Sequence, residues 1–411
     1  VSQLFSGARL IVVGLYDNTV ANQAGQGWYL TSKNLANTAT RVLTPGPPMA
    51  STRPIPSPNG VNHTGGATGH PYAIDAAGFC FYQTAHPSNA DTVCTIRKTN
   101  GASDVIVGST EDADLSPAGT PIDADQAIVT MYLHSSNGHI YVGEECKLLA
   151  APSTQFGRIY LLNPQTNALT RITIAETSLA AAIPYCLGDI EGILFYGLWI
   201  GTVDAVGQIW AFSSTFGSVT QDSNVFADYA NITCMAQYTP IGGVTRLFCG
   251  TGVNTSGSIF AKVFSRGSLA LTPIGNSGGW VARQTASGGA FGNGNLYSSM
   301  VQFGNSLYAV WCGAQTNIYK LDATLTDLDS AGAWSGAVSA TTVLNLTGAA
   351  AIALVLHVDD GVLYAVGSTG TGGTITAYTS PDGTTWTVRL TLGALSVGAV
   401  PIPILYGMNQ V

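Results

Sequence analysis

The densest group of carboxylates lies in EDADLSPAGTPIDAD, residues 111–125. Clusters of hard oxygen ligands hold calcium, which makes Asp112, Asp114, Asp123 and Asp125, with Glu111, the calcium candidates. Their spacing lacks the DxDxDG order of a strong loop site, so a solvated acidic loop is the competing reading. Asp322, Asp327 and Asp329 form a sparser group of the same kind. His357 with Asp359 and Asp360 has the look of a dyad but is expected on a hairpin turn, where short polar side chains bond the local backbone. Acid/base chemistry on a glycoside needs two carboxylates across a cleft. Only five Glu are present, at 111, 144, 145, 176 and 191, and Glu144-Glu145 is expected at a strand end after GHIYVG. Seven Cys occur with no CxxC, and the six His form no i,i+4 pair, which argues against zinc and for reduced thiols packed in strands. No catalytic set emerges, and no cofactor beyond the calcium option.

What would position these residues is a repeat. One strand-like phrase, an aliphatic residue, usually an aromatic, then often Gly, recurs as GARLIVVG (7–14), GFCFY (78–82), GHIYVG (138–143), GILFYG (192–197), TRLFCG (245–250), NSLYAVWCG (305–313) and GVLYAVG (361–367). Aligned on Leu10, Cys80, Ile140, Leu194, Leu247, Leu307 and Leu363, the copies lie 53 to 70 residues apart. Each is followed by a second strand-like segment, such as GRIYLL or TNIYKL. Most are preceded by an apolar segment across a short polar turn, as in VTMYLHSSNGHIYVG. That is a hairpin signal repeated, at the period of four-stranded propeller blades. The expectation is all-β: a single domain over 1–411, a seven-bladed β-propeller of four-stranded antiparallel blades. An open β-solenoid and two stacked sandwiches fit the turn spacing less well.

From Leu363 through the termini to Leu10 the distance is 58 residues, matching the internal period. PIPILYGMN (401–409) is therefore expected beside GARLIVVG, pairing C-terminal and N-terminal strands to close the ring. The Pro/Gly-rich segment 44–72 is expected as an inter-blade arm, and an Ala-rich stretch at 175–183 as one short helical turn. Cys234 and Cys249 flank Pro240-Ile241-Gly242-Gly243, and a regular hairpin would set them face to face.

SPDGTTW, with Ser380, Asp382, Gly383, Thr385 and Trp386, resembles the Asp-box, a hairpin motif of sialidase-like and related β-propellers. GNSGGW ending at Trp280 and DLDSAGAW ending at Trp334 are degenerate echoes, their Trp residues 54 and 52 apart. The resemblance implies a turn in which Asp accepts backbone N–H groups, Gly takes φ > 0 and Trp packs between sheets. It implies stability and not catalysis. Sialidase activity would need three arginines gripping a carboxylate, a Tyr paired with Glu, and an Asp. Arg53-Pro54-Ile55-Pro56 only reverses the family's Arg-Ile-Pro setting.

With 15 Lys and Arg against 23 Asp and Glu, the formal charge of -8 offers no basic stripe for nucleic acid. No apolar run reaches the roughly 18 residues of a membrane-spanning helix. Low charge (9%), 49 Gly and near-total β texture resemble a bacteriophage virion protein of the tail or host-attachment kind. The functional expectation is a non-enzymatic structural module in a virion, meeting other structural subunits in an oligomeric assembly. A secreted, glycan-binding lectin-like propeller that meets cell-surface glycan and a secreted polysaccharide-active enzyme are the alternatives. A lectin should repeat ligand residues blade by blade, whereas here only packing positions repeat.

Overall fold

The computed structural model describes residues 10–16, 25–31, 43–49, 72–77, 79–85, 94–99, 104–110, 127–148, 151–200, 207–226, 231–239, 245–252, 261–270, 273–275, 279–285, 296–312, 316–321, 341–346, 354–359, 361–369, 374–392 and 402–408. Among these residues the chain is almost wholly antiparallel sheet, in four four-stranded sheets and one of twelve strands, the last made of three successive four-stranded meanders linked by the single pairs Trp199–Asn231 and Gly252–Leu296. The first meander holds Leu10–Tyr16 (β1), Gly25–Thr31 (β2) and Leu43–Met49 (β3). The second holds Tyr72–Ile74 (β4), Cys80–Ala85 (β5), Cys94–Thr99 (β6) and Asp104–Ser109 (β7). The third holds Ala127–Leu133 (β8), Ile140–Leu148 (β9), Ala151–Leu162 (β10) and Leu169–Arg171 (β11). The fourth holds Ala182–Ile190 (β12), Ile193–Ile200 (β13), Gly207–Phe212 (β14) and Val219–Phe226 (β15).

The fifth meander is Asn231–Tyr238 (β16), Arg246–Gly252 (β17), Lys262–Arg266 (β18) and Trp280–Thr285 (β19). The sixth is Leu296–Phe303 (β20), Ser306–Cys312 (β21), Thr316–Leu321 (β22) and Thr341–Leu346 (β23). The seventh is Leu354–Asp359 (β24), Val362–Thr369 (β25), Thr374–Ser380 (β26) and Thr387–Leu392 (β27). The last strand, Ile402–Met408 (β28), pairs antiparallel with β1, from Ile11 opposite Met408 to Tyr16 opposite Ile402. A 3₁₀ turn, Thr173–Ala175, and the single-turn helix Glu176–Leu179 (α1) lie where the Ala-rich stretch suggested and bury Leu179.

Each phrase of the repeat supplies a second strand, and its apolar residues are buried because neighbouring meanders cover both faces. Leu194, Phe195, Tyr196 and Leu198 of β13 are all 0% exposed. One core lies between the second and third meanders around Phe81, Ile96 and Val142, and another between the third and fourth around Tyr141, Leu187 and Phe212. The largest spans the fourth to sixth, around Phe195, Ile232, Phe248 and Trp311. First strands lie side by side: β4 against β8, β8 against β12, then β16, β20 and β24, with β28 touching both β24 and β4. The arrangement is propeller-like.

The Gly of the repeat phrase has a packing cause. A Cβ on Gly143 would stand 2.8 Å from the Pro184 carbonyl oxygen, on Gly197 2.6 Å from Ile232 Cβ, and on Gly250 2.5 Å from Tyr297 Cβ. In each case this obstacle belongs to the first strand of the next meander, and a side chain of the glycine's own first strand, Thr130, Cys186 or Cys234, closes in beside it. The hydrogen atom at these sites therefore sets how closely consecutive sheets approach.

Three expectations are corrected. The segment 44–72 does not begin as an arm, since residues 44–49 lie in β3, antiparallel to β2, and 72 opens β4. Residues 50–71 lie outside the described residues. Cys234 stands opposite Gly250, and Met235 opposite Cys249, so the two thiols are one register step apart, and neither is in a disulfide. The hairpin centres on residue 242, and a one-residue slip moves a side chain to the other face. His357 lies within β24 opposite Tyr364, not on the turn.

Candidate functional site

The ionisable side chains that the sheets bring together are buried at their seams. Asp189 is the penultimate residue of β12, ahead of the Glu191-Gly192 turn, and is 0% exposed. Tyr132 of β8 and Ser135 of the following turn donate their hydroxyls to Oδ1 and Oδ2 respectively. From β16, Gln237 Nε2 donates to Oδ1 at 3.1 Å and to the Asp189 carbonyl at 2.7 Å. Three consecutive meanders thus meet on one carboxylate. The belt continues with Gln302 of β20, which exchanges two hydrogen bonds with the Thr239 backbone at 2.8 and 3.0 Å. Burial, and then the charge of Asp189, push the Tyr132 hydroxyl well above its ordinary pKa.

His134 sits beside this node in the β8–β9 turn. Its N–H donates to the His139 carbonyl at 2.9 Å, and its carbonyl accepts from Gly138 N–H at 3.1 Å, with Gly138 at φ 67°. The ring lies 5.6 Å from Tyr141 and 5.8 Å from Phe216. Its Nδ1 accepts the Ser136 N–H at 3.4 Å and lies 3.1 Å from Ser136 Oγ. Burial lowers the imidazole pKa, while Asp189 and the Gly192 carbonyl pull the other way. The net lowering keeps the ring neutral at pH 7.

A second cluster lies between the second and third meanders. Glu144 of β9 and Arg158 of β10 are directly opposite each other and each 0% exposed. Tyr160 OH donates to Glu144 Oε2 at 3.2 Å, Cys146 Sγ approaches the same oxygen at 3.5 Å, and Arg158 Nη1 donates to Tyr160 OH at 3.4 Å. Burial raises the Glu144 pKa above its ordinary value, opposed by the Arg158 charge and by hydrogen bonds from Thr110, Cys146 and Tyr160. Glu144 and Glu145 are therefore interior to a strand, not at its end as the local pattern suggested. Covering by neighbouring sheets leaves no free end there.

The third cluster joins the fourth and fifth meanders. Arg266 of β18 holds Asp222 of β15 in a two-pronged pair, Nε to Oδ2 at 2.7 Å and Nη2 to Oδ1 at 3.0 Å, with both side chains 0% exposed. Trp280 Nε1 and Gly275 N–H donate to the same carboxylate at 2.8 and 3.0 Å. Every lone-pair direction facing the protein is used, the condition under which a buried pair is tolerated.

The SPDGTTW hairpin joins β26 to β27. Asp382 Oδ1 accepts the N–H groups of Thr384 and Thr385 at 2.7 and 2.6 Å and the Ser380 hydroxyl at 3.1 Å, and Oδ2 accepts Thr385 Oγ1 at 2.8 Å. These donors hold its pKa well below the carboxylate range. Gly383 has φ 74°, and a Cβ there would fall 1.8 Å from the Tyr308 hydroxyl of the neighbouring meander. Trp386 packs against the core between the sixth and seventh meanders. Trp280 opens β19 as Trp386 immediately precedes β27, whereas Trp334 lies outside the described residues. So do Glu111, Asp112, Asp114, Asp123, Asp125, Asp322, Asp327, Asp329, Asp360 and the Arg53-Pro54-Ile55-Pro56 run. Among the described residues no three His, Cys, Asp or Glu side chains are grouped to hold a metal ion.

No protein-family model matches the chain, and no curated protein is similar to it in sequence. Similar solved structures include an α-L-arabinofuranosidase of Fusarium graminearum, 12% identical, covering 77% of this chain and 90% of that one, TM-score 0.43. A putative 6-phosphogluconolactonase of Bacteroides uniformis is 11% identical and covers 98% of both chains, TM-score 0.49. Likenesses at this level assign no activity.

Proposed function

We propose that the chain is a seven-bladed, ring-closed β-propeller that works by presenting a surface, as a non-enzymatic structural or host-attachment module of a virion. The ring is supported by the pairing of β28 with β1 and by the unbroken succession of neighbouring first strands. The observation that carries the non-enzymatic reading is how the carboxylates are used. Of the five Glu, the four described are engaged in the fold: Glu144 and Glu145 are 0% and 1% exposed, Glu176 pairs with Arg171 at 2.5 Å, and Glu191 accepts the Leu269 N–H at 3.4 Å. Asp189 and Asp222 bind sheet to sheet.

Meander topology also makes the two faces of such a ring unequal. First-to-second and third-to-fourth connections share one face, and they include the two-residue turns 191–192 and 304–305. Second-to-third connections and the links between meanders share the other; in the sequence, residues 50–71 separate β3 from β4 and the acidic 110–126 separate β7 from β8. Composition favours a virion setting, and long variable links are where partners are commonly met. The test is to incubate the purified chain with sialosides and with plant and bacterial polysaccharides. No turnover is expected. Steady turnover abolished by replacing one carboxylate would overturn the reading, and binding without turnover would move it to a glycan-binding propeller.

A further inference from the structure

We propose that Ser136 is a nucleophile with His134 as its base, which makes the β8–β9 turn a site that takes an acyl or phosphoryl group from an activated donor. Ser136 is exposed, and its Oγ lies 3.1 Å from His134 Nδ1. Because the Ser136 N–H also donates to Nδ1, that nitrogen carries the lone pair and Nε2 carries the proton. The tautomer is thus the one in which Nδ1 can accept the hydroxyl proton. The ring is held in place, packed near Tyr141 and Phe216 while two backbone hydrogen bonds close its turn. The imidazolium that forms lies in the field of Asp189, whose carboxylate is fixed by Tyr132, Ser135 and Gln237.

A Cβ added at Gly192, in the turn of the next hairpin, would stand 3.5 Å from Ser136 Oγ, an ordinary contact, so Gly192 brings no side chain against the hydroxyl. The inference goes beyond the proposed function, because it concerns one covalent attachment and not turnover. In the step, Oγ bonds to the electrophilic carbon or phosphorus, the bond to the leaving group breaks with its electron pair, and the Oγ proton passes to Nδ1 and then to solvent.

A fluorophosphonate tests this on the full-length chain. Oγ–P forms, P–F breaks, and fluoride and a proton are released. One adduct is expected by intact mass, mapped to Ser136 and absent from Ser136→Ala. General-base help is commonly worth about 100-fold or more, so His134→Gln should label at least ~100-fold more slowly. Because that variant can disturb the turn, the wild-type rate is also followed against pH. It should rise to a plateau with its inflection below that of free imidazole. Absence of an adduct, labelling spread over several serines or falling on Ser135, or a rate that climbs with hydroxide without a plateau would each overturn the proposal.

Discussion

Replacing Gly250 by Ala probes the close approach of consecutive sheets. The new Cβ would sit 2.5 Å from Tyr297 Cβ, 2.7 Å from Met300 Cε and 2.9 Å from Cys234 Sγ. Non-bonded carbons prefer about 3.5–4.0 Å, so the two Cβ atoms must separate by about 1 Å or more. Met300 can rotate away, but Tyr297 Cβ is fixed to the backbone of β20, and relief requires moving a whole strand. Overpacking of this kind costs about 1–3 kcal/mol, and a β-carbon that cannot swing aside points to the upper half of that range. The backbone entropy that Ala saves over Gly returns only about 0.5–1 kcal/mol. A net loss of about 1–2.5 kcal/mol is expected. With an unfolding entropy near 2.1 cal/mol/K per residue, that is a fall in Tm of about 1–3 °C if the chain unfolds as one unit. Gly217→Ala is the control, since its nearest contact is Thr215 Oγ1 at 3.4 Å, and it should lie within about 0.5 kcal/mol of wild type. Differential scanning calorimetry on both variants decides. Gly250→Ala as stable as Gly217→Ala would refute the reasoning that the repeat glycine sets sheet spacing.

Asp222→Ala leaves Arg266 buried without its partner and should cost about 3–5 kcal/mol, read by chemical denaturation, while the double variant with Arg266→Met should recover part of it. Gly383→Ala must displace Tyr308 and abandon φ 74°, so it should lower Tm, whereas Gly138→Ala, with nothing within 4 Å, bears the φ cost alone. Glu144, with its folded pKa raised, contributes stability present below its unfolded value and lost as pH rises through the folded one; Glu144→Gln should flatten that decline. His134, with its folded pKa lowered, contributes stability present above the ordinary imidazole value and lost as pH falls through the folded one. His134→Gln should flatten the acid side of the same Tm–pH curve. Since Cys234 and Cys249 are in no disulfide and out of register, dithiothreitol should leave Tm unchanged.

The repeat phrase was legible because a buried second strand needs a continuous apolar run and a hairpin needs its turn residues, both local properties of the chain. The β28–β1 pairing followed from the period. Register did not: the parity of the 239–245 loop decides whether Cys234 faces Cys249 or Gly250, and it has no sequence mark. Glu144 read locally as a strand end, although its partner Arg158 lies opposite it across the β9–β10 hairpin. The Asp189 node was missed because Tyr132 and Gln237 are 57 and 48 residues away. A signal did exist. Asp189, Gln237 and Gln302 each stand opposite the aliphatic position of three consecutive repeats, Leu194, Leu247 and Leu307. A polar residue recurring inside an apolar hairpin marks a seam that needs a hydrogen bond.

Cryo-electron microscopy of the native assembly that contains this chain tests the central claim most directly. The expected result is a ring of seven four-stranded blades, β28 and β1 in one sheet, with a partner subunit seated on the face that carries the links between blades, residues 50–71 among its contacts. An open arc of sheets, or a closed ring whose partners all sit on the opposite face while 50–71 touches none of them, would contradict it.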